Sequence, residues 1–204
     1  MCENLSFSHI CNSCQQLFLT PSLYKRKLPS GIEVISFYKY DEIKSLLHTK
    51  HTDLGFYIYK IMAKNSLKKF STTFNMSESI AAIAVDDIVE DSYSHTAVLC
   101  KSLKSKGIKP LYGKLRAKNR LSYSGQSREF RLKNPRDFQL LNFSQSSVIL
   151  VDDIITTGST LSEAITVMTK NKKEVLFCLT LCDVSIKWLR KTLLETYQVL
   201  FLSP

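Results

Sequence analysis

Val148-Ile149-Leu150-Val151-Asp152-Asp153-Ile154-Ile155-Thr156-Thr157-Gly158-Ser159-Thr160 is the stretch whose reading decides the fold. Four apolar residues, Val148 to Val151, predict a short buried strand with two adjacent carboxylates at its end. A hydroxyl-rich turn with one glycine follows, and Leu161 to Thr169 reads as a helix. In an open parallel sheet, ligands bind beyond the carboxyl ends of strands, where loops lead into helices. The first N–H groups of such a helix point outward with the positive end of its dipole behind them. Thr156, Thr157, Ser159 and Thr160 add hydroxyl donors, and Gly158 permits close backbone approach or a positive φ. That chemistry suits a phosphate. Asp152 and Asp153 cannot hold phosphate, but they can accept hydrogen bonds from a pair of sugar hydroxyls. A vicinal diol beside a 5′-phosphate is a ribose phosphate. The plainer reading of the same residues is a strand, an Asx-type turn and a helix cap, since Asp, Thr and Ser favour those positions.

Around this stretch, 204 residues give room for one full-sized domain and a small appendage. No apolar run is long enough to span a bilayer, and Met1-Cys2-Glu3-Asn4 lacks a basic region followed by an apolar one, so a cytoplasmic protein without membrane insertion is expected. The six cysteines, at 2, 11, 14, 100, 178 and 182, do not suggest a disulfide framework. The net charge of +10 is concentrated in one place. Between Lys101 and Arg136 there are twelve Lys and Arg against one acid, Glu129, so the rest of the chain is close to neutral. Tyr112, Tyr123 and Phe130 lie among these cations. Part of the excess can serve a small polyanionic ligand. The surplus points to single-stranded nucleic acid, with cations tracking phosphates and aromatics offering stacking faces.

Residues 1–29 read as an irregular, cysteine-containing head that ends in the basic Tyr24-Lys25-Arg26-Lys27, and 30–204 as the main domain. Val34 to Tyr38 is expected as a strand, Asp41 as the cap of a helix carrying Ile43, Leu46 and Leu47, and Asp53 to Leu67 as a second helix. Ile80 to Val85 is the next strand, His95 to Ser105 a helix, and Leu111 to Leu115 a short strand. Residues 116–136 read as a long loop with one helical turn at Arg128 to Lys133. Val175 to Leu181 is a strand and Ser185 to Tyr197 a closing helix. Alternating strands and helices predict an α/β fold with an open, mostly parallel sheet flanked by helices.

The decisive stretch resembles the phosphoribosyl pyrophosphate (PRPP) signature of type I phosphoribosyltransferases: a hydrophobic run, two acids, then T-T-G-x-T. The resemblance implies that Asp152 and Asp153 bind the ribose 2′- and 3′-hydroxyls. It implies also that Thr156, Thr157, Gly158, Ser159 and Thr160 bind the 5′-phosphate of PRPP carried with Mg²⁺. It further implies a lid upstream of the loop, where 116–136 lies; a lid suits a transfer whose cation-like transition state water would intercept. Within that family, Lys114-Leu115-Arg116-Ala117-Lys118-Asn119-Arg120, Gln126 and Arg128-Glu129-Phe130-Arg131 to Phe138 resemble the pattern of ComF-like competence proteins. Ser36 to Lys44 and the K-x-x-x-x-G step from Lys50 to Gly55 do so as well, and the likeness runs over about residues 33 to 183. That branch implies a role in DNA uptake during natural transformation, with Arg116, Lys118, Arg120, Arg128 and Arg131 at a lid or DNA-binding surface. Two other readings stay open: a working transferase that moves phosphoribosyl to a nucleobase or amine, and a PRPP- or purine-sensing regulator.

Two departures from the branch stand out. Its strand end P-V-P and loop R-G-F-N-Q are replaced by Ala84-Val85-Asp86-Asp87 and Ser92-Tyr93-Ser94-His95-Thr96. Asp86 and Asp87 read either as indirect metal ligands or as an acid pair entering a helix. His95 reads either as a general acid or as a polar residue opening a helix. At the N-terminus the branch opens with two zinc knuckles, whereas here Cys11-Asn12-Ser13-Cys14 is preceded by Cys2 alone. Three thiolates fall short of a closed tetrahedral Zn²⁺ site, and His9 is the candidate fourth ligand.

Overall fold

The computed structural model describes residues 6–74, 78–85, 89, 93–119 and 127–185. Cys2, Asp86, Asp87, Arg120 and Gln126 lie outside them, as do the side chains of Arg128 and Arg131 and nearly all of the expected closing helix.

The centre is a six-stranded sheet. Its strands are β1 (Tyr24–Lys27), β2 (Glu33–Lys39), β3 (Ile80–Ala84), β4 (Ile108–Leu111), β7 (Ser147–Ile155) and β8 (Glu174–Asp183), in the order β1-β2-β8-β7-β3-β4. All neighbours are parallel except β1 on β2. The parallel strands read as near-continuous apolar runs, as strands covered on both faces must. Ile80 to Ala84 and Val148 to Val151 are buried throughout.

Period-2 alternation sends the side chains of each strand to two cores. Ile149, Val151, Leu179 and Leu181 face a layer made by α2 (Tyr40–Leu47), α3 (Asp53–Ala63), α4 (Lys69–Thr73) and α5 (His95–Ser102). Ile43, Leu47, Tyr59, Met62, Phe70 and Leu99 come from those helices. Val148, Leu150 and Cys178 face the opposite layer, where α7 (Ser159–Lys170) supplies Leu161, Ala164, Ile165 and Met168. The expected α/β sheet with helices on both sides is the fold observed.

Several details differ from the sequence reading. The basic end of the head is not irregular: Tyr24 to Lys27 is an edge strand paired with β2 from Tyr24↔Ser36 to Lys27↔Glu33. Ahead of it lies α1 (Asn12–Phe18), and Tyr38 Oη donates to the Leu19 carbonyl at 3.0 Å, tying that end of the head to the sheet. Helix α2 begins one residue before Asp41, and Glu42 reaches back to accept from the Lys39 N–H at 3.1 Å. The helix expected to end at Leu67 continues through a π-helical turn, Lys64–Lys68, into α4.

Among its described residues, the long loop opens on the end of a short strand and carries a short helix. Strand β5 (Leu115–Ala117) pairs antiparallel with β6 (Phe138–Leu140), and α6 (Arg128–Lys133) lies between them where one helical turn was expected. Strands of three residues are too short to show a period. The expected strand over Leu111 to Leu115 is instead the end of β4 and the start of β5. Leu115, Ala117 and Phe138 pack into the α7-side core, so the stems of this hairpin are fixed beside the phosphate-type loop.

Candidate functional site

Gly158 is the N-cap of α7 with φ +81°, the left-handed conformation that glycine adopts without the cost other residues meet. A side chain there would also crowd Leu28, which is seated under the turn. Thr157 Oγ1 and Ser159 Oγ lie 3.0 Å apart at the mouth of the turn, and the Ser162 N–H closes the first helical bond on the Gly158 carbonyl at 2.9 Å. Of the amides before Ser162, which a helix start leaves without intrahelical acceptors, the Ser159 N–H donates to Thr157 Oγ1 at 3.4 Å, and no acidic residue occupies the first turn. Residues 156–160 thus gather hydroxyls and backbone amides around a glycine with positive φ.

A cation not singled out from the sequence braces this turn. Arg26, on the edge strand β1, donates from Nη2 to the Thr156 carbonyl at 2.7 Å and from Nη1 to Ser185 Oγ at 2.5 Å. Its Nε lies 3.3 Å from Asp183 Oδ2, an ion pair without hydrogen-bond alignment at that nitrogen. Asp183 in turn accepts from Ser185 N and Oγ, both at 2.8 Å. Only the basic character of Tyr24-Lys25-Arg26-Lys27 hinted at this role.

The two acids are not at a strand end. Strand β7 runs through them to Ile155, with Asp152 opposite Thr180 and Ile155 opposite Asp183 on β8. Ile154-Ile155, an apolar pair after the acids, was the signal for the extra length. Because strand neighbours point to opposite faces, Asp152 continues the row Val148, Leu150 on the α7 side. Asp153 continues the row Ile149, Val151 on the α3/α5 side.

Their surroundings differ accordingly. Asp153 is 7% exposed, and one of its oxygens meets three groups. Tyr59 Oη donates to Oδ2 at 3.2 Å, while Lys50 Nζ and His95 Nε2 each lie 3.5 Å from the same atom. Burial alone would raise the Asp153 pKa; His95, Lys50, the Tyr59 hydroxyl and the Ile154 N–H outweigh it and hold this carboxyl below the usual aspartate range. Asp152 is half-buried, and its Oδ1 accepts the Asp153 N–H at 2.9 Å. Burial first, then the neighbouring Asp153 charge, push its carboxyl well above the usual range. Tyr59 is pushed up too, by burial and then by Asp153, so it stays a hydroxyl donor. Environment therefore divides two adjacent carboxylates into one firmly ionised and one reluctant to ionise.

Lys50 owes its position to the K-x-x-x-x-G step. It lies within a short 3₁₀ turn, His48–His51, ahead of α3, whose N-cap Thr52 accepts from the Gly55 N–H at 3.2 Å. A Cβ on Gly55 would strike the Thr49 carbonyl and the Tyr93 hydroxyl. Tyr93 Oη donates to the Lys50 carbonyl at 2.5 Å, so turn, helix and Tyr93 pack at a distance only glycine allows. His95 is the first residue of α5, which is capped by Ser94 Oγ accepting from the Ala97 N–H at 3.1 Å. Lys50, Tyr59 and His95 thus converge on one aspartate from separate parts of the chain.

The hairpin is tied to α7 by Glu163. Its two carboxylate oxygens accept the Arg136 N–H at 3.0 Å and the Asp137 N–H at 2.7 Å. Asp137 has φ +49°, and Lys118 Nζ sits 3.4 Å from its carboxylate. Arg116 and Lys118 are exposed and alternate with buried Leu115 and Ala117. In the head, Cys11 is the N-cap of α1, its Sγ accepting the Cys14 N–H at 3.4 Å, while the His9 ring stacks on Tyr57 with centroids 4.3 Å apart. Among the described residues no group of three or more His, Cys, Asp or Glu is placed to hold a metal. A zinc site built on Cys11 and Cys14 would draw on Cys2, outside those residues. No helix among them is long and apolar enough to cross a membrane.

Comparison with known proteins finds no curated protein that matches the chain. Among solved structures, it resembles an orotate phosphoribosyltransferase from Aeropyrum pernix at 18% identity, over 84% of this chain and 80% of that one, with a TM-score of 0.39. A hypoxanthine phosphoribosyltransferase from Staphylococcus aureus is 15% identical over 65% of this chain and 69% of that one, with a TM-score of 0.38. An adenine phosphoribosyltransferase is 17% identical over 84% and 89%, with a TM-score of 0.39. Residues 117–196, which hold the second hairpin strand, both acids, the Gly158 turn and the helix behind it, match the phosphoribosyl transferase domain family.

Proposed function

We propose that the protein binds PRPP, with its 5′-phosphate in the turn Thr156 to Thr160 and its ribose over the Asp152–Asp153 step. The observation that carries this reading is the Gly158 turn at +81° opening a twelve-residue helix directly after the acid pair, within the segment matching the phosphoribosyl transferase domain. Mg²⁺ would arrive with PRPP, whose charge it offsets, and the half-buried Asp152 is the carboxylate with access to it.

The finer part of the proposal is a ComF-like role: binding single-stranded DNA through the basic 101–136 segment in the service of DNA uptake. Its support is the charge excess of that segment and the exposure of Arg116 and Lys118 on a hairpin fixed beside the loop. Zn²⁺ on Cys2, Cys11, Cys14 and His9 would hold the head, an assignment supported by the Cys11–Cys14 turn.

Two measurements test this. Thermal unfolding with PRPP and Mg²⁺ should shift upward, since a ligand bound only by the native state adds about 2.7 kcal/mol at one hundred times its Kd. Asp152→Ala should lose the shift; a wild type that shows none removes the PRPP reading. Binding of a labelled single-stranded oligonucleotide should weaken steeply with salt and disappear in Lys118→Glu/Arg120→Glu. Retention of binding in that variant would remove the DNA surface from 101–136.

A further inference from the structure

The described cations of the run from Lys101 to Arg136 divide between two faces of the sheet. Leu99, Leu103 and Ile108 pack into the α3/α5-side core, so the stretch holding Lys101, Lys104 and Lys106 lies on that side. Leu115, Ala117 and Phe138 pack into the α7-side core and carry exposed Arg116 and Lys118 on the other. The first group has neighbours from elsewhere in the chain. Lys60, Lys64 and Lys68 are exposed at four-residue intervals along α3 and the π-helical turn after it, and Lys68 Nζ donates to the Lys104 carbonyl at 3.0 Å. The Ile80 N–H donates to the Gly107 carbonyl at 2.9 Å, which seats the α5–β4 loop at the starting ends of β3 and β4. Asp153 and the Gly158 turn lie at the finishing ends of the parallel strands.

We propose that Lys60, Lys64, Lys68, Lys101, Lys104 and Lys106 form a second polyanion surface, apart from the PRPP site, that takes the phosphate backbone of a nucleic-acid duplex without reading its sequence. The inference does not rest on the PRPP reading.

Charge is the first support. Residues 54–77 and 92–128 contain no Asp or Glu, and among the described residues none of these lysines pairs with a carboxylate. Like charges four apart on a helix cost about 0.2–0.5 kcal/mol per pair, and no acid within α3 or the turn relieves Lys60, Lys64 and Lys68. A merely solvated helix face mixes both signs. This one does not.

Residue type then chooses the partner. Lysine is a compact, hydrated charge on a flexible stem, suited to backbone phosphates of any sequence rather than to bidentate reading of bases. Helix rise sets Lys60 and Lys64 about 6 Å apart along the axis, facing a duplex that offers one charge per about 1.7 Å. Among the described residues, no exposed large apolar side chain lies in 60–74 or 95–111. The unstacked bases of a single strand would find no ring to stack on there, and an anionic bilayer would receive no apolar wedge. A protein partner would find no apolar centre.

Fluorescence anisotropy of the full-length protein with a short labelled DNA duplex, titrated with salt, tests the surface. Lys60→Gln/Lys64→Gln/Lys101→Gln/Lys106→Gln removes four charges and spares the Lys68–Lys104 bond. It should weaken duplex binding about tenfold or more and lower the salt slope by about 3–4, at roughly 0.9 per phosphate contact. The same charge loss placed elsewhere, in Lys27→Gln/Lys44→Gln/Lys170→Gln/Lys172→Gln, should stay within about threefold of wild type. Arg116→Gln/Lys118→Gln should do likewise. Relief of like charges along one helix should leave urea stability of the first variant equal or higher, so a lost contact is distinguishable from a lost fold. Its PRPP-induced thermal shift should match the wild type. The inference is overturned if the wild type binds no duplex at about 50 mM salt, or if the two four-lysine variants lose affinity and slope alike. It is overturned also if the first variant loses a single-stranded oligonucleotide as severely as the duplex, or if phosphatidylserine vesicles bind the wild type and duplex does not.

Discussion

The guanidinium of Arg26 donates to the carbonyl oxygen of Thr156 at 2.7 Å, joining the edge strand of the sheet to the turn that would hold phosphate. That bond reaches 130 residues along the chain, and the same side chain pairs with Asp183, which is 2% exposed. Arg26→Met should therefore act twice. Leaving Asp183 without its cation should cost roughly 3 kcal/mol in urea unfolding. Freeing Thr156 should also lower affinity for ribose 5-phosphate about tenfold, measured under conditions where the variant is fully folded.

The two acids should respond to amidation in opposite senses. Asp153 is held below the usual range, so its contribution to stability is present above the ordinary aspartate value and lost as pH falls through its lowered one. Asp152 is raised, so the folded state holds its proton longer than the unfolded chain, and stability declines as pH rises from the ordinary value through the raised one. At about pH 7, Asp152→Asn should be as stable as the wild type or more so. Asp153→Asn should lose roughly 1–3 kcal/mol, the figure for a buried pair reduced because Lys50 and His95 remain partly in water. Urea unfolding at about pH 5 and about pH 7 checks both signs.

Gly158→Ala tests the turn. Its φ of +81° should cost about 1–2 kcal/mol for any side chain, and the new Cβ lies against Leu28 Cδ2, the end of a side chain that can yield. The expected result is a modest fall in Tm with loss of most of the PRPP-induced shift. A variant that still shows the full shift would mean the phosphate sits elsewhere.

Gly55→Ala should be worse for stability although it lies outside the loop. The obstacle there is the Thr49 backbone carbonyl, which cannot move without moving the turn that carries Lys50. Overpacking of this kind costs roughly 1–3 kcal/mol. Urea unfolding of Gly55→Ala beside Gly158→Ala checks the order.

What could be read in advance was local. Val148 to Thr160 announced strand, acids, turn and helix, and the sheet follows from apolar runs separated by helical spacing. The chemistry around Asp153 was not legible, because Lys50, Tyr59 and His95 meet it only through tertiary packing. Nothing near Arg26 or Glu163 marks either as a brace; each acts on backbone groups far away in sequence. In the sequence no neighbour of His95 marks its contact with Asp153, and Lys50 belongs only to a spacing. The hairpin stems escaped because strands of three residues carry too few alternations to stand out.

Glu163 gives the hairpin an energetic link to the turn. Its carboxylate grips two consecutive amides of the hairpin, and it stands one helical turn beyond Gly158 on the same rigid rod. Opening the hairpin stem thus means letting go of the helix that begins at the Gly158 turn. The two segments should behave as one cooperative unit in hydrogen exchange, with the Arg136 and Asp137 amides gaining protection when a ligand occupies the Gly158 turn.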